Sequence, residues 1–279
     1  MKIAKIPAGL VFLLILPALC AFLSCQSLSR SKKQTGIPDK FAVFTFDDGP
    51  NSQGDTTARL LDILKKYQIQ AMFALLGENA EYSPDLVRRI RDEGHYIINH
   101  GYYDTWAVNM GREFFLLNLE MGEQAISAAL GEPLNPRLYR PQGGFYKKRH
   151  LKIWQSQGYT LIPSTARSYD AVKTAAGADR VVRAIMRKVE KQKGGIIMLH
   201  DGRDSHRNME MVLKENPYGS YNRSWIPETV ERLILTLQEE GYALSGFDAL
   251  EAVKYDPDKR RPETRPVLKN KRKGDRNAP

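Results

Sequence analysis

The chain has 279 residues, of which 42% are hydrophobic, 27% charged and 9% aromatic, and its formal net charge is +10. That balance excludes collagen-like, mucin-like and wholly disordered chains, and the length suits one ordinary domain with appendages. The charge is confined to the ends: residues 41–254 carry 27 basic and 27 acidic side chains, while residues 255–279 carry nine basic and four acidic ones. A domain without net charge gives no compositional reason to expect nucleic acid as a partner, and none is expected.

In chain order, Lys2 and Lys5 precede an apolar run from Pro7 to Leu23, the pattern of an export signal. The run ends in Phe22-Leu23-Ser24-Cys25. This resembles a bacterial lipoprotein cleavage site and makes Cys25 the candidate for lipid attachment. An uncleaved membrane anchor is the alternative, since about 18 apolar residues come close to spanning a bilayer. On either reading the protein is exported and tethered to a membrane of the bacterial cell envelope or periplasm. Both cysteines, Cys20 and Cys25, lie here, which excludes a cysteine nucleophile, a zinc ribbon or an internal disulfide in the rest of the chain. The predicted organisation is a leader over 1–25, a flexible linker over 26–39, a catalytic domain over 40–254 and a disordered basic tail over 255–279, rich in proline and charge.

Within the domain, β-rich apolar runs alternate with amphipathic segments. Strands are predicted at 41–46, 71–76, 95–99, 159–162, 196–199 and 242–244. Helices are predicted at 56–69, 83–94, 113–130, 147–157, 179–192 and 228–240. Repeated strand–helix units imply a parallel α/β sheet, either open and doubly wound or closed into a barrel, with its site at the carboxyl ends of the strands.

The residues immediately after each strand are therefore the candidates for chemistry. The first strand ends in Thr45-Phe46-Asp47-Asp48-Gly49-Pro50, two adjacent carboxylates before a breaker that lets both side chains enter one cavity. The third runs into His100, with Asp104 four residues later, a spacing that on a helical turn brings both to one face. One more carboxylate, from the Asp47-Asp48 pair, would complete a three-ligand metal site with an open position. Tyr139-Arg140-Pro141-Gln142-Gly143-Gly144 joins an arginine able to orient a carboxylate to a glycine pair whose backbone can approach a ligand. Ile196-Ile197-Met198-Leu199-His200-Asp201 places a histidine after an apolar strand, where general-acid chemistry is done. His95 reads as structural; His150 and His206 read as surface residues.

These segments, in this order, resemble the polysaccharide deacetylase family (NodB-homology domain, carbohydrate esterase family four) from about Phe41 to Leu250; TFDDGP and LHD match its pattern most closely. The resemblance implies a distorted (β/α) barrel, single-domain, and a metal-dependent hydrolase that removes acetyl groups from a sugar polymer. It casts Asp47 as general base, Asp48, His100 and Asp104 as metal ligands, and Arg140 as the residue orienting the base. Gly143 N–H becomes an oxyanion donor, His200 the general acid, and Asp170 the carboxylate that tunes it. The implied cofactor is a divalent ion. Asp104 stands where the family usually has a second histidine, and two anionic ligands favour a harder ion such as manganese or iron over zinc. Arg167 and Ala171 stand where the family tends to place Asp and Trp. Residues 203–225 form an insertion with Tyr218, Tyr221 and Trp225, readable as a substrate-binding loop or as a packed lid.

The function implied is N-deacetylation of an N-acetylglucosamine-containing polysaccharide, peptidoglycan or a chitin-like oligomer, in the cell envelope. The alternatives are an O-acetyl esterase on polysaccharide, or a catalytically weakened glycan-binding lipoprotein of the same fold.

Overall fold

The computed structural model describes residues 40–244 and Gly246. The leader, Cys25, the linker, the basic tail and the last stretch of the predicted domain lie outside the described residues. Among the described residues no helix is long and apolar enough to cross a membrane.

The sheet is built around β1 (Phe41–Gly49), buried along its whole length except at Phe41. A parallel strand covered on both faces needs apolar side chains on both, which explains the unbroken run Phe41–Phe46. β2 (Met72–Leu75), β3 (Tyr96–Asn99), β4 (Leu138–Tyr139) and β5 (Thr160–Leu161) extend from one side of β1, all parallel. On the other side lie β7 (Gly194–His200) and then β6 (Ala166–Arg167); β8 (Ala243–Leu244) pairs with the first residues of β1.

The two ends of this sheet, β5 and β6, are joined by residues 162–165 alone. Such a link reaches less than about 18 Å, so the sheet has to curl until its ends nearly meet. Ile162 N–H still bonds Tyr139 O on one side, and Thr165 N–H bonds Ile196 O on the other, both within 3.0 Å. The seam is therefore only Pro163 and Ser164 wide. The result is the distorted (β/α) barrel that the family resemblance implied, open at one seam.

Strand parity sorts the side chains. Ala42, Phe44 and Phe46 of β1 pack outward with Phe73, Ile197 and Leu199 against α1 (Thr56–Lys66), α6 (Ala178–Gln192) and α8 (Ile226–Glu239). Val43 points inward, into a small barrel core with Met72, Ala74, Ile98, Leu138 and Ile162. α2 (Gly77–Tyr82), α3 (Pro84–Asp92), α4 (Arg112–Leu130), α5 (Lys148–Ser156) and α7 (His206–Glu215) complete the helices. Phe115, Trp154, Tyr139 and Tyr159 form a separate aromatic cluster near α4 and α5.

Two histidines read as surface residues are buried. His150 is 0% exposed, stacked on Phe115 at 4.4 Å. His206 is 6% exposed, stacked on Tyr82. Helical and loop contexts say nothing about which neighbour covers a ring, and in both cases the cover comes from a distant segment. His95 is structural as read: its Nδ1 accepts from Ala71 N–H at 3.1 Å, and burial lowers its pKa to about 4.

Candidate active site

The inward parity of the barrel core continues to the carboxyl ends of the strands. On β1 the series 43, 45, 47 ends in Asp47; on β7 the step from Met198 leads to His200; beyond β3, the step from Ile98 leads to His100. Asp47 and His200 are direct register partners on adjacent strands. Three chemically active side chains thus enter one mouth because each lies an even number of residues from an inward core position.

Asp48 would break this rule by pointing outward, and a β-bulge corrects it. Asp47 pairs with Ala74 and Gly49 with Leu75, leaving Asp48 as the extra residue on β1, with φ at 69° in the left-handed region. Such bulges re-aim side chains beside active sites, at a cost of order 1–3 kcal/mol for a non-glycine residue held there. Asn79, fully buried, holds the bulge by donating to Asp48 O at 2.9 Å. Gly202 packs directly against the same carbonyl, where a Cβ has no room.

Asp48 Oδ1 faces His100 Nε2 at 3.3 Å. The other ring nitrogen, Nδ1, lies 2.8 Å from Arg140 O. A carbonyl only accepts, so Nδ1 carries the proton and Nε2 offers its lone pair towards Asp48. A histidine that donates one N–H to a backbone carbonyl and turns the other nitrogen to a carboxylate is arranged as metal-binding histidines are. Without a cation the same pair shares a proton. Burial opposes charge on both, yet their mutual contact draws His100 up and Asp48 down in pKa. Asp48 and His100 therefore fit as two ligands of one divalent ion.

Asp104 lines the same cavity, near enough for the Asp48 charge to be the main influence on its carboxyl. Among the described residues no group of three His, Cys, Asp or Glu side chains is arranged to hold a metal. The i, i+4 argument required a helical turn after His100. Gly101 instead takes φ 81°, and residues 101–105 form bends with no helix, leaving Asp104 exposed at the cavity rim. The charge of Asp48, then partial burial, pushes its carboxyl up to about 7.

Arg140, 3% exposed, lies in the barrel seam. Nε donates to Ile162 O at 3.2 Å and a terminal nitrogen to Pro163 O at 3.1 Å. The other terminal nitrogen donates to Thr45 Oγ1 at 2.7 Å and to Asp47 Oδ1 at 2.5 Å. One guanidinium thus ties the seam to β1 and fixes the Asp47 carboxylate. Gly143 lies in the same cavity at φ 69°, and a Cβ there would sit 2.9 Å from the Trp106 ring, so only glycine fits beneath that indole.

His200 Nδ1 is 3.1 Å from Asp170 Oδ1, and its backbone N–H donates to Asp170 Oδ2 at 2.8 Å. Burial alone would lower this imidazole. Asp170, followed by Asp48 and Asp47, outweighs it and raises the pKa to about 9. The ring is thus protonated at neutral pH, with Nε2 left for a substrate. Asp170 is fully buried, and its charge is supported by Arg223, which donates to Oδ2 at 2.6 Å and to His200 O at 2.9 Å. Sequence reasoning missed Arg223. It lies in the 203–225 insertion, 53 residues from Asp170, in a segment whose local pattern gives no sign of such a partner. The insertion's aromatics do not line the cavity: Tyr218 is 86% exposed and Trp225 is packed into the outer core.

Asp201, next to His200, has a different fate. It is fully buried beneath Gly49, where a Cβ would lie 2.5 Å from its Oδ2; Thr57 Oγ1 donates to that oxygen, and Oδ1 has no partner among the described residues. Burial pushes its pKa up to about 7 from 3.8. A carboxyl raised in the folded state stabilises the fold fully below its unfolded pKa, and that contribution is lost as pH climbs from about 4 to 7, by up to about 4 kcal/mol. Asp201→Asn removes the titration, so its melting temperature should rise relative to wild type as pH increases across that window. Parallel melting profiles would contradict this.

Together these groups line a cavity of about 950 Å³ bounded by Asp47, Asp48, His100, Arg140, Gly143 and His200. Residues 34–162 match the family model described as polysaccharide deacetylase. Over this stretch the chain is similar to polysaccharide deacetylases. A peptidoglycan-N-acetylglucosamine deacetylase of Bacillus cereus is 29% identical over 164 residues, 59% of this chain and 74% of that protein. A chitooligosaccharide deacetylase of Rhizobium leguminosarum bv. trifolii is 28% identical over 175 residues, 61% and 75% of the two chains. A solved structure of a peptidoglycan N-acetylglucosamine deacetylase aligns with a TM-score of 0.60 at 25% identity, covering 74% of this chain and 86% of that one. The polysaccharide deacetylase match ends at Ile162. The assignments of Asp170 and His200 therefore rest on geometry.

Proposed function

We propose that this protein is a divalent-metal-dependent polysaccharide deacetylase that hydrolyses N-acetyl groups of N-acetylglucosamine-containing polysaccharide at the cell envelope. The observation that carries the reading is the pairing of Asp47 with His200 across adjacent strands. One is fixed by a buried arginine and the other is kept protonated by a buried carboxylate. Amide hydrolysis needs a base for the attacking water and an acid for the nitrogen that leaves, in one cavity, and these two residues supply both.

Asp47, with Oδ1 held by Arg140, accepts a proton from the attacking water as its oxygen bonds to the acetyl carbon. Gly143 N–H, at a turn bare of side chain, serves the oxyanion that forms. His200 then gives its Nε2 proton to the sugar nitrogen as the C–N bond breaks, releasing a free amine and acetate; Asp170 and Arg223 stabilise the cationic ring beforehand. Asp48 and His100 would hold a divalent cation, which would supply Lewis acidity when bound. The leader pattern of Lys2 to Cys25 and the polymeric substrates named for the relatives support the envelope location.

The test is acetate release from N-acetylchitooligosaccharide by full-length protein recovered from the membrane fraction, after chelation and after add-back of zinc, cobalt or manganese. Metal-restored release is expected. A second reading, suggested by the absence among the described residues of a group of three side chains set to hold a metal, is a glycan-binding protein without turnover. That reading predicts glycan binding without release under every metal, and recovery only in the soluble fraction would count against the location.

A further inference from the structure

One wall of the cavity carries positive charge that nothing else in the site uses. β6 is set by its register: Arg167 pairs with Met198, whose side chain lines the cavity, while Ala166 pairs with Ile197 and packs outward. The parity that aims His200 inward therefore aims Arg167 inward too. Its guanidinium lies over the glycine turn of the active site, with Nη1 2.9 Å from where a Cβ on Gly144 would be. Its Nε donates to Ser164 Oγ at 2.8 Å, which orients the group from the seam.

Lys188 reaches the same wall from α6. It lines the cavity, donates to Arg167 O, and holds its ammonium 5.7 Å from the centre of the Tyr169 ring. Among the described residues neither Arg167 nor Lys188 forms an ion pair. Of the cavity's acids, Asp47 is engaged with Arg140 and Asp48 with His100, and Asp104 at the rim forms no ion pair with either cation. Burial and the neighbouring Arg167 both disfavour the charge on Lys188. Two half-buried cations side by side without a counter-ion are electrostatically unfavourable, and an anion arriving with the substrate relieves that.

We propose that Arg167 and Lys188 form a carboxylate subsite, and that the preferred substrate is an acidic glycan bearing a carboxylate on a sugar unit bound in this cavity. The inference rests on the deacetylase reading for its reaction but not for its binding. Arg167 offers a planar donor fork matched to a carboxylate, and Lys188 adds a point charge. A neutral polymer of N-acetylglucosamine would leave both unpaired.

The test compares three substrates of equal length with full-length, metal-restored protein. These are peptide-free strands alternating N-acetylglucosamine and N-acetylmuramic acid, the same strands with their lactyl carboxyls converted to amides, and chitooligosaccharide. Wild type should show kcat/KM at least about tenfold higher on the acid strand than on its amide, the scale of one charge-assisted pair. Arg167→Gln should collapse that ratio through KM, and Lys188→Gln should reduce it; circular dichroism checks that each variant folds. Identifying which sugar loses acetyl tells a carboxylate on the reacting unit from one on its neighbour. A ratio near one in wild type, or a ratio unchanged in both variants while both rates fall together, would overturn the proposal and make these residues structural. If no glycan is deacetylated, the deacetylase reading fails by itself. Calorimetric affinity for acid against amide strands then decides the subsite: preference lost in Arg167→Gln sustains it, and equal affinity overturns it.

Discussion

His200→Asn should lower kcat/KM for an N-acetyl sugar by about 10²–10⁴-fold while the fold is retained, the loss typical of removing a positioned general acid. The same variant should lose less than about tenfold on an aryl acetate, whose phenolate leaves without a proton. The contrast comes from the site: Nδ1 is committed to Asp170, so Nε2 is the only ring nitrogen able to reach a leaving group. The site also sets the sign of the pH dependence. The active form is protonated, so activity is present below the His200 pKa of about 9 and is lost as pH rises through it. A bound cation, being positive, moves that limb down, so wild type and variants must be compared with the same metal. Asp170→Asn removes the main raising influence and should shift the alkaline limb to lower pH. Equal losses on amide and aryl ester would show that His200 does something other than protonate nitrogen.

The second large effect falls on stability. Arg223→Met should cost about 3–5 kcal/mol of unfolding free energy, because it leaves a buried carboxylate without its buried arginine partner. Asp170 is fully buried, and His200, followed by Arg223, holds its pKa below 3.8 against that burial. Losing Arg223 should therefore raise the Asp170 pKa. The native state gains stability from the ionised Asp170 above its unfolded pKa and loses it as pH falls through the folded value. In Arg223→Met that loss should begin at higher pH. Combined with Asp170→Asn, the cost should shrink by about 1 kcal/mol or more, since nothing charged is then stranded. A strictly additive double variant, read by chemical denaturation, would remove the ion pair from the account.

Much of the site is legible in the sequence alone. The strands after which Asp47, His100 and His200 fall are apolar runs, and a parallel sheet directs the chemistry to their carboxyl ends. Asp48 is readable as a partner of Asp47, although the device, a bulge with one left-handed residue, emerges only in the register with β2. β4 and β6 have two residues each, too short to express any period, and α7 lies within a segment read as loop or lid. Asp104 shows what local spacing leaves open: the helical turn assumed after His100 is replaced by a bend that begins at Gly101, with φ at 81°. Arg223, His150 and His206 share another reason. Each owes its role to contacts with segments distant in the chain, which a single sequence does not record.

The most direct test of the central claim is to count acetate and free amine released from N-acetylchitooligosaccharide by chelated and metal-restored protein, with Asp47→Asn alongside. The account predicts one amine per acetate, release that requires metal, and a loss of about 10²-fold or more in Asp47→Asn with unchanged glycan binding. Binding without release under every metal, or release equal in wild type and Asp47→Asn, would contradict it.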